Sequence, residues 1–369
     1  MFITKSYLKP GMILAKDIYL NGRNFKTVLL TKGQPLNNHY IEKIIFHNIE
    51  GVYIENAAFN DLDYEYGINK NLETKALTEI KEVYSKLCET DGIITDSSIH
   101  KFSFIVDELI SEILVKRELT NNVMDFKNHD EYTYQHCLSV ANLSISTGIS
   151  MGLSKQILHD LGMAGFLHDI GKTLIPLEIL NKPGKLTSDE FEIIKSHPTS
   201  AVNMLKNLVS DDILKGIESH HEKLDGSGYP YGKSKENIPL YGRILAICDV
   251  YHALSSDRSY RKTCFPNEVI EYIMGCADTH FDYDILSVFL KSVVAFPIGI
   301  FVKLSNGKIG VVIKNHVENN IRPVVRIVNQ DNTVGEDIDL LNDSHYMNTT
   351  IIDMGYDSNN IDFNNISKI

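Results

Sequence analysis

Apolar positions change their spacing three times along the chain, and each change marks a different kind of element. Residues 1–58 carry short apolar or alternating runs, YLKPGMILAKDIY and KTVLLTKGQPL, punctuated by Pro10, Gly11, Gly22, Gly33 and Pro35. That is the pattern of short strands separated by turns. A short helix over Asn38 to Phe46 and a strand over Gly51 to Ile54 complete a small β-rich N-terminal module. Residues 59–120 begin as a polar, acidic linker (Phe59 to Asn71) and then become helical. Leu72, Leu77, Ile80, Val83, Tyr84 and Leu87 recur near 3.6 spacing, as do Phe104, Val106, Leu109, Ile110, Ile113 and Leu114. The two helices over 72–118 suit either a homodimer seam that carries a signal or a pair packed on the domain that follows.

Residues 121–296 read as all-helical. One helix starts after Asp130, and another runs from Lys155 to Ile170 and stops at Gly171, a residue suited to a C-cap. Thr187-Ser188-Asp189-Glu190 is a capping-box signature. Further helices span Asp211 to His221 and Leu240 to Ser255. Residues 297–369 return to strand alternation, with Asn306-Gly307 as a hairpin turn and RPVVRIV as one more strand. The fold class is mainly α: a helical bundle, a small N-terminal β-rich module and a short C-terminal β hairpin and tail.

Charge and composition then exclude several functions. Lys plus Arg total 36 against 48 Asp plus Glu, a net charge of −12, which argues against binding a nucleic acid polymer or a membrane surface. An anionic ligand would need local cations, metals included. The five cysteines form no CxxC pair, so neither a disulfide framework nor a thiolate zinc site is indicated. Lysines interrupt the N-terminus before a signal-peptide core forms, and Lys291 and Pro297 break the late apolar stretch Leu286 to Val302. The expectation is a cytoplasmic protein.

Eight of the 14 histidines lie between His129 and His252, and their helical positions matter more than their number. His136 shares a face with Val140, Leu143 and Thr147, and His168 with Ile157, Leu161 and Ala164. His197 sits beside Ile194 and Ala201, and His221 one turn after Ile217. Asp249 follows Leu245 inside ILAICDVYHAL, where an unpaired carboxylate would be costly to bury. A single inward histidine is usually a hydrogen-bonded core residue. Four helices turning in a histidine and a fifth an aspartate are better explained by a metal centre inside the bundle. His136, His168, Asp169, His197, His220, His221 and Asp249 are too many for one tetrahedral site and suit two ions bridged by a carboxylate. Nitrogen and oxygen donors without thiolate fit iron or manganese, with zinc as the alternative. Two such ions, about 3.5–4 Å apart, activate a water and clamp a phosphoryl group.

The same residues carry a resemblance. YTYQH at 132–136, HDIGK at 168–172, KSHP at 195–198, HHEKLDGSGYP at 220–230 and DVYHALSSDRSYR at 249–261 resemble the HD-GYP phosphodiesterases, across roughly residues 125–300. The resemblance implies an HD-type bundle over 121–296 that hydrolyses cyclic di-GMP to linear pGpG, or on to GMP, with a metal-bridging hydroxide. His136, His168, Asp169 and Asp249 would hold one metal. Asp169 would bridge to a second, held by His197, His220 and His221. Lys172 would face the phosphate or the hydroxide, and Arg258 and Arg261 would contact ligand phosphate or guanine. Their bland alternatives are a solvated helix-end lysine and surface arginines. The Gly228-Tyr229-Pro230 loop, with Tyr229 expected to be exposed, would line the substrate, bind a protein partner or brace His221.

Trinuclear relatives have a glutamate one turn before the first histidine. Here that position is Tyr132, and Glu131 is about 100° round the helix, so two metals are expected. His129, His159 and His252 are expected to take no part as ligands. Two alternatives stand beside this reading: a cyclic di-GMP receptor without catalysis, and a phosphodiesterase for another cyclic dinucleotide.

Overall fold

The computed structural model describes residues 1–22, 25–47, 49, 51–62, 68–89, 93–116, 132–182, 184–255 and 266–354. Strands β1 (Phe2–Thr4), β2 (Ile18–Gly22) and β3 (Phe25–Leu30) precede helix α1 (Asn38–Phe46) and strand β4 (Gly51–Tyr53). β1 pairs with β4 and β2 with β3, each pair antiparallel. α1 has the bounds its sequence predicts because Asn37 caps it, its side chain accepting the Tyr40 N–H at 2.8 Å.

Helices α2 (Lys70–Glu89) and α3 (Asp96–Lys116) follow. Ala76, Ile80, Val83, Tyr84 and Leu87 of α2, with Phe102, Ile105, Val106, Leu109 and Ile110 of α3, lie in one core with the helices that come after them. Each Val, Leu, Ile or Phe side chain among them contributes roughly 1.5–3 kcal/mol by leaving water. The apolar stripe that suggested a dimer seam is therefore engaged within the chain. Phe104 and Leu114 are not on it: both are exposed, at 59% and 42%. Phe104 lies two residues before Val106, about 200° round the helix, and so faces away.

The bundle is built from α4 (Tyr132–Ser150), α5 (Lys155–Leu167), α6 (Leu177–Leu180), α7 (Ser188–Lys195), α8 (His197–Leu205), α9 (Asp211–Ser219) and α10 (Leu240–Ser255), with α11 (Pro266–Gly275) and α12 (Tyr283–Phe289) behind. α4 packs on α5 and α10, and α9 on α8 and α10. The Thr187 capping box forms in full. Gly171 is not the C-cap that the sequence suggests. α5 ends at Leu167 with His168 as its cap, and Gly171 lies in the 3-10 turn Ile170–Leu174. A Cβ at Gly171 would meet the His197 carbonyl oxygen at 2.1 Å, so its glycine serves the close approach of that turn to α8.

The C-terminal region is larger than a hairpin. β5 (Phe301–Leu304), β6 (Ile309–Lys314), β7 (Val324–Val328), β8 (Val334–Asp339) and β9 (Ile351–Met354) form an antiparallel sheet in the order β8-β7-β6-β5-β9. Alternation gives it two apolar faces. Val302, Leu304, Val312, Val325 and Ile327 join the bundle core, whereas Phe301, Val311 and Val328 join the core of the N-terminal module. No helix among the described residues is long and apolar enough to cross a membrane.

Candidate metal centre

Three of the buried histidines are placed by the same local device. His168 is the C-cap of α5, His220 is the C-cap of α9, and His197 follows the C-cap of α7. A helix ends with backbone carbonyls that have no partner inside the helix. Each histidine donates its Nδ1–H to such a carbonyl three residues back: His168 to Gly165 at 2.9 Å, His197 to Ile194 at 2.8 Å and His220 to Ile217 at 2.5 Å. The bond fixes the tautomer, so in the neutral rings Nε2 carries a lone pair that points into the bundle.

Those lone pairs converge. His168 Nε2 lies 3.2 Å from His136 Nε2, and His197 Nε2 lies 3.3 Å from His220 Nε2. Asp169 reaches both sets: Oδ2 is 3.5 Å from His168 Nε2 and 3.6 Å from His136 Nε2, while Oδ1 is 3.4 Å from His197 Nε2. Asp249 Oδ1 lies 3.0 Å from His136 Nε2, and Oδ2 lies 3.8 Å from His221 Nδ1. Three overlapping groups have donor atoms within 4.8 Å of one another: His136, His168 and Asp169; His197, His220 and His221; His168, His220 and Asp249. The structure thus brings together all seven residues singled out from the sequence.

Electrostatics keep these groups in the state that binds a cation. Burial lowers the His136 pKa, and it lowers His197 to about 4, with the Lys172 ammonium acting in the same direction. Burial likewise takes His220 well below the usual range and His221 to about 3. Burial opposes the charge of Asp169, yet the ammonium of Lys172, 2.6 Å from Oδ2, holds its carboxyl well below the usual carboxylate range. For Asp249 burial is again the largest effect and opposes the charge, but the His136 hydrogen bond together with the neighbouring His136, His221 and His168 imidazoles holds its carboxyl well below the usual range. Neutral imidazoles with facing lone pairs and ionised buried carboxylates repel one another unless a cation lies between them. Asp169 Oδ1, buried and without a hydrogen-bond donor among the described residues, is the clearest sign of that need. The donor set therefore fits divalent metal.

Lys172 is turned onto Asp169 and a quarter exposed, so it is not a solvated helix-end lysine. Tyr229 is half-buried, not exposed: its ring stacks on His221 with centroids 4.6 Å apart and planes at 30°. The loop around it is tied to the bundle. Tyr229 N donates to His221 O at 3.1 Å, and a Cβ at Gly228 would fall 2.5 Å from the backbone of Glu222 and Lys223.

Two residues of this region have a place that the sequence reading did not assign: Glu222, which it did not single out, and His252, which it set aside as a non-ligand. Glu222, 2% exposed, accepts the N–H groups of Tyr231 and Lys233 at 2.8 and 2.9 Å and so closes the loop. His252, 1% exposed, places Nδ1 2.8 Å from His136 Nδ1. The HHE run could have directed attention to Glu222. The i, i+3 spacing of Asp249 and His252 could have done so for His252. Arg258, Arg261, Glu131 and His129 lie outside the described residues, and so does the side chain of Tyr132.

A helical bundle with a buried His/Asp cluster around paired carboxylates is a divalent-metal-binding fold. Residues 114–285 match the family model of the HD domain, and residues 301–354 match a KOW domain associated with HD domains. The central bundle of this chain thus matches the HD-domain family over residues 114–285. The chain is similar to a cyclic di-GMP phosphodiesterase of Pseudomonas aeruginosa, 38% identical over 227 residues that make up 61% of this chain and 55% of the relative. A Thermotoga maritima protein of the same name is 31% identical over 61% of this chain and 60% of its own length. A 3'3'-cGAMP-specific phosphodiesterase of Vibrio cholerae is 39% identical over 44% of this chain and 37% of its own. The match thus spans between about a third and three fifths of each relative.

Proposed function

We propose that this chain is a metal-dependent phosphodiesterase that opens cyclic di-GMP to linear pGpG. The observation that carries the reading is the double reach of Asp169, with Oδ2 toward His136 and His168 and Oδ1 toward His197. A carboxylate so placed suits two ions: His136, His168, Asp169 and Asp249 would hold one, and Asp169 with His197, His220 and His221 the other. Oxygen and imidazole donors favour iron or manganese. Bound metal would supply an activated water and charge neutralisation for the phosphodiester. Of the chain's own groups, Lys172 keeps Asp169 ionised, and the backbone carbonyls of Gly165, Ile194 and Ile217 orient three histidines. Arg258 and Arg261 are assigned to the ligand phosphates or guanine on sequence alone.

The names of the relatives support this substrate, and the Vibrio cholerae relative favours a second reading, a mixed guanine–adenine cyclic dinucleotide. A cyclic di-GMP receptor without catalysis finds no support in the site, since every ligand position is filled. The test is turnover of cyclic di-GMP by anaerobically purified, iron- or manganese-loaded protein, with product chromatography and 3'3'-cGAMP as comparison. Hydrolysis of cyclic di-GMP to pGpG is expected. Tight binding with no turnover would favour the receptor, and faster hydrolysis of the mixed dinucleotide would change the substrate.

A further inference from the structure

His136 differs from the other buried histidines in one respect. It lies in the second turn of α4, not at a helix C-terminus, and its Nδ1 faces a side-chain nitrogen. A carbonyl inside a helix is already engaged with the N–H four residues on. An acceptor from another element can fix the tautomer of His136 in the same way. The atom 2.8 Å from its Nδ1 is Nδ1 of His252. His252 follows Asp249 by three residues on α10, so the two side chains share a face of that helix. One turn of α10 thereby addresses both nitrogens of a single imidazole: Asp249 Oδ1 lies 3.0 Å from Nε2, and His252 lies at Nδ1.

The two contacts compete for one proton. With the proton on Nε2, His136 donates to Asp249 and has no lone pair to offer a cation. With the proton on Nδ1, it donates to His252, and Nε2 turns a lone pair toward His168 and Asp169. We propose that His252 is a positioning residue that accepts the Nδ1–H of His136 and so selects the tautomer able to bind metal. His252 then carries its own proton on Nε2. Its role is the one that backbone carbonyls play for His168, His197 and His220, and such outer partners typically change metal affinity about 10–100-fold when removed. This inference rests on the reading of His136 as a ligand.

Two measurements on this 369-residue chain test it, with zinc as a diamagnetic probe. The first uses wild-type protein and reads the imidazole 15N shifts of His136 and His252 in the zinc-loaded state. A protonated His136 Nδ1 beside an unprotonated His252 Nδ1 is expected; a proton on His252 Nδ1 would overturn the proposal. The second compares zinc affinity in His252→Phe, which keeps a ring and removes the acceptor, with His252→Asn, which restores an acceptor. His252→Phe is expected to weaken one of the two sites about 10–100-fold, leave the other unchanged and be rescued in part by His252→Asn. Wild-type affinity at both sites in His252→Phe would overturn the proposal. Wild-type protein that binds no zinc would instead remove the metal-centre reading itself.

Discussion

His197 and His220 bring their Nε2 atoms to 3.3 Å of one another while each donates Nδ1–H to the carbonyl three residues back. With both protons committed to those carbonyls, two lone pairs face each other in a buried space. A cation relieves this repulsion, so metal should stabilise the fold as well as serve the chemistry. Chelation is expected to lower Tm by several degrees, and added manganese or zinc to restore it. Scanning calorimetry with and without metal checks this, and an unchanged Tm would speak against a metal at His197 and His220.

Asp169 is the least replaceable ligand, because its two oxygens face different histidine sets. Asp169→Ala should lose both metals and essentially all hydrolysis while far-UV circular dichroism remains that of a helical bundle. Metal analysis decides the matter: two ions retained per chain would disprove the bridging role.

Lys172 should behave differently. Its ammonium lies 2.6 Å from Asp169 Oδ2, and its removal leaves the ligand set intact. Lys172→Ala is expected to keep its metals and lower kcat by about 10²–10³-fold, the scale of losing one preorganised electrostatic partner. Steady-state kinetics on metal-matched samples read the effect, and an unchanged kcat would return the lysine to a structural role.

The metal-free protein should lose stability in mild acid. His197 titrates near 6.5 when unfolded and at about 4 when folded, chiefly through burial. Between those values the unfolded chain binds a proton that the folded chain does not, so stability falls as pH drops from about 6.5 to about 4. From this group alone the loss is about 3 kcal/mol. Urea unfolding of chelated protein at pH 7 and pH 4.5 checks the direction. Stability that held or rose across that interval would contradict it.

Glu222 offers a test of the loop. Glu222→Ala leaves the part-buried Tyr231 and Lys233 N–H groups without their carboxylate, at about 1 kcal/mol for each hydrogen bond. Tm should fall, and metal affinity on the His221 side should weaken, because Tyr229 stacks on that imidazole from the same loop. Unchanged metal binding would confine the loop to a role in folding.

Local pattern determined much of this protein. α1 and α10 have the bounds that periodicity indicates, because each element's first residues and its apolar stripe are written within one stretch of chain. The seven candidate ligands were legible for a related reason: motif and helical phase together place a histidine or aspartate on an inward face. The α5 terminus was misread, since Gly171 is a glycine for the sake of the His197 carbonyl, which lies 26 residues on and leaves no local trace. Tertiary structure alone decided what lies beyond one element. The sheet divides its two faces between two cores, β9 completes it from some fifty residues after β5, and α2 and α3 spend their stripes on the bundle. It also set His252 against His136 across 116 residues. Periodicity reports which side of a helix is buried; which buried side chain meets another depends on how the helices cross, and that depends on packing of the whole chain.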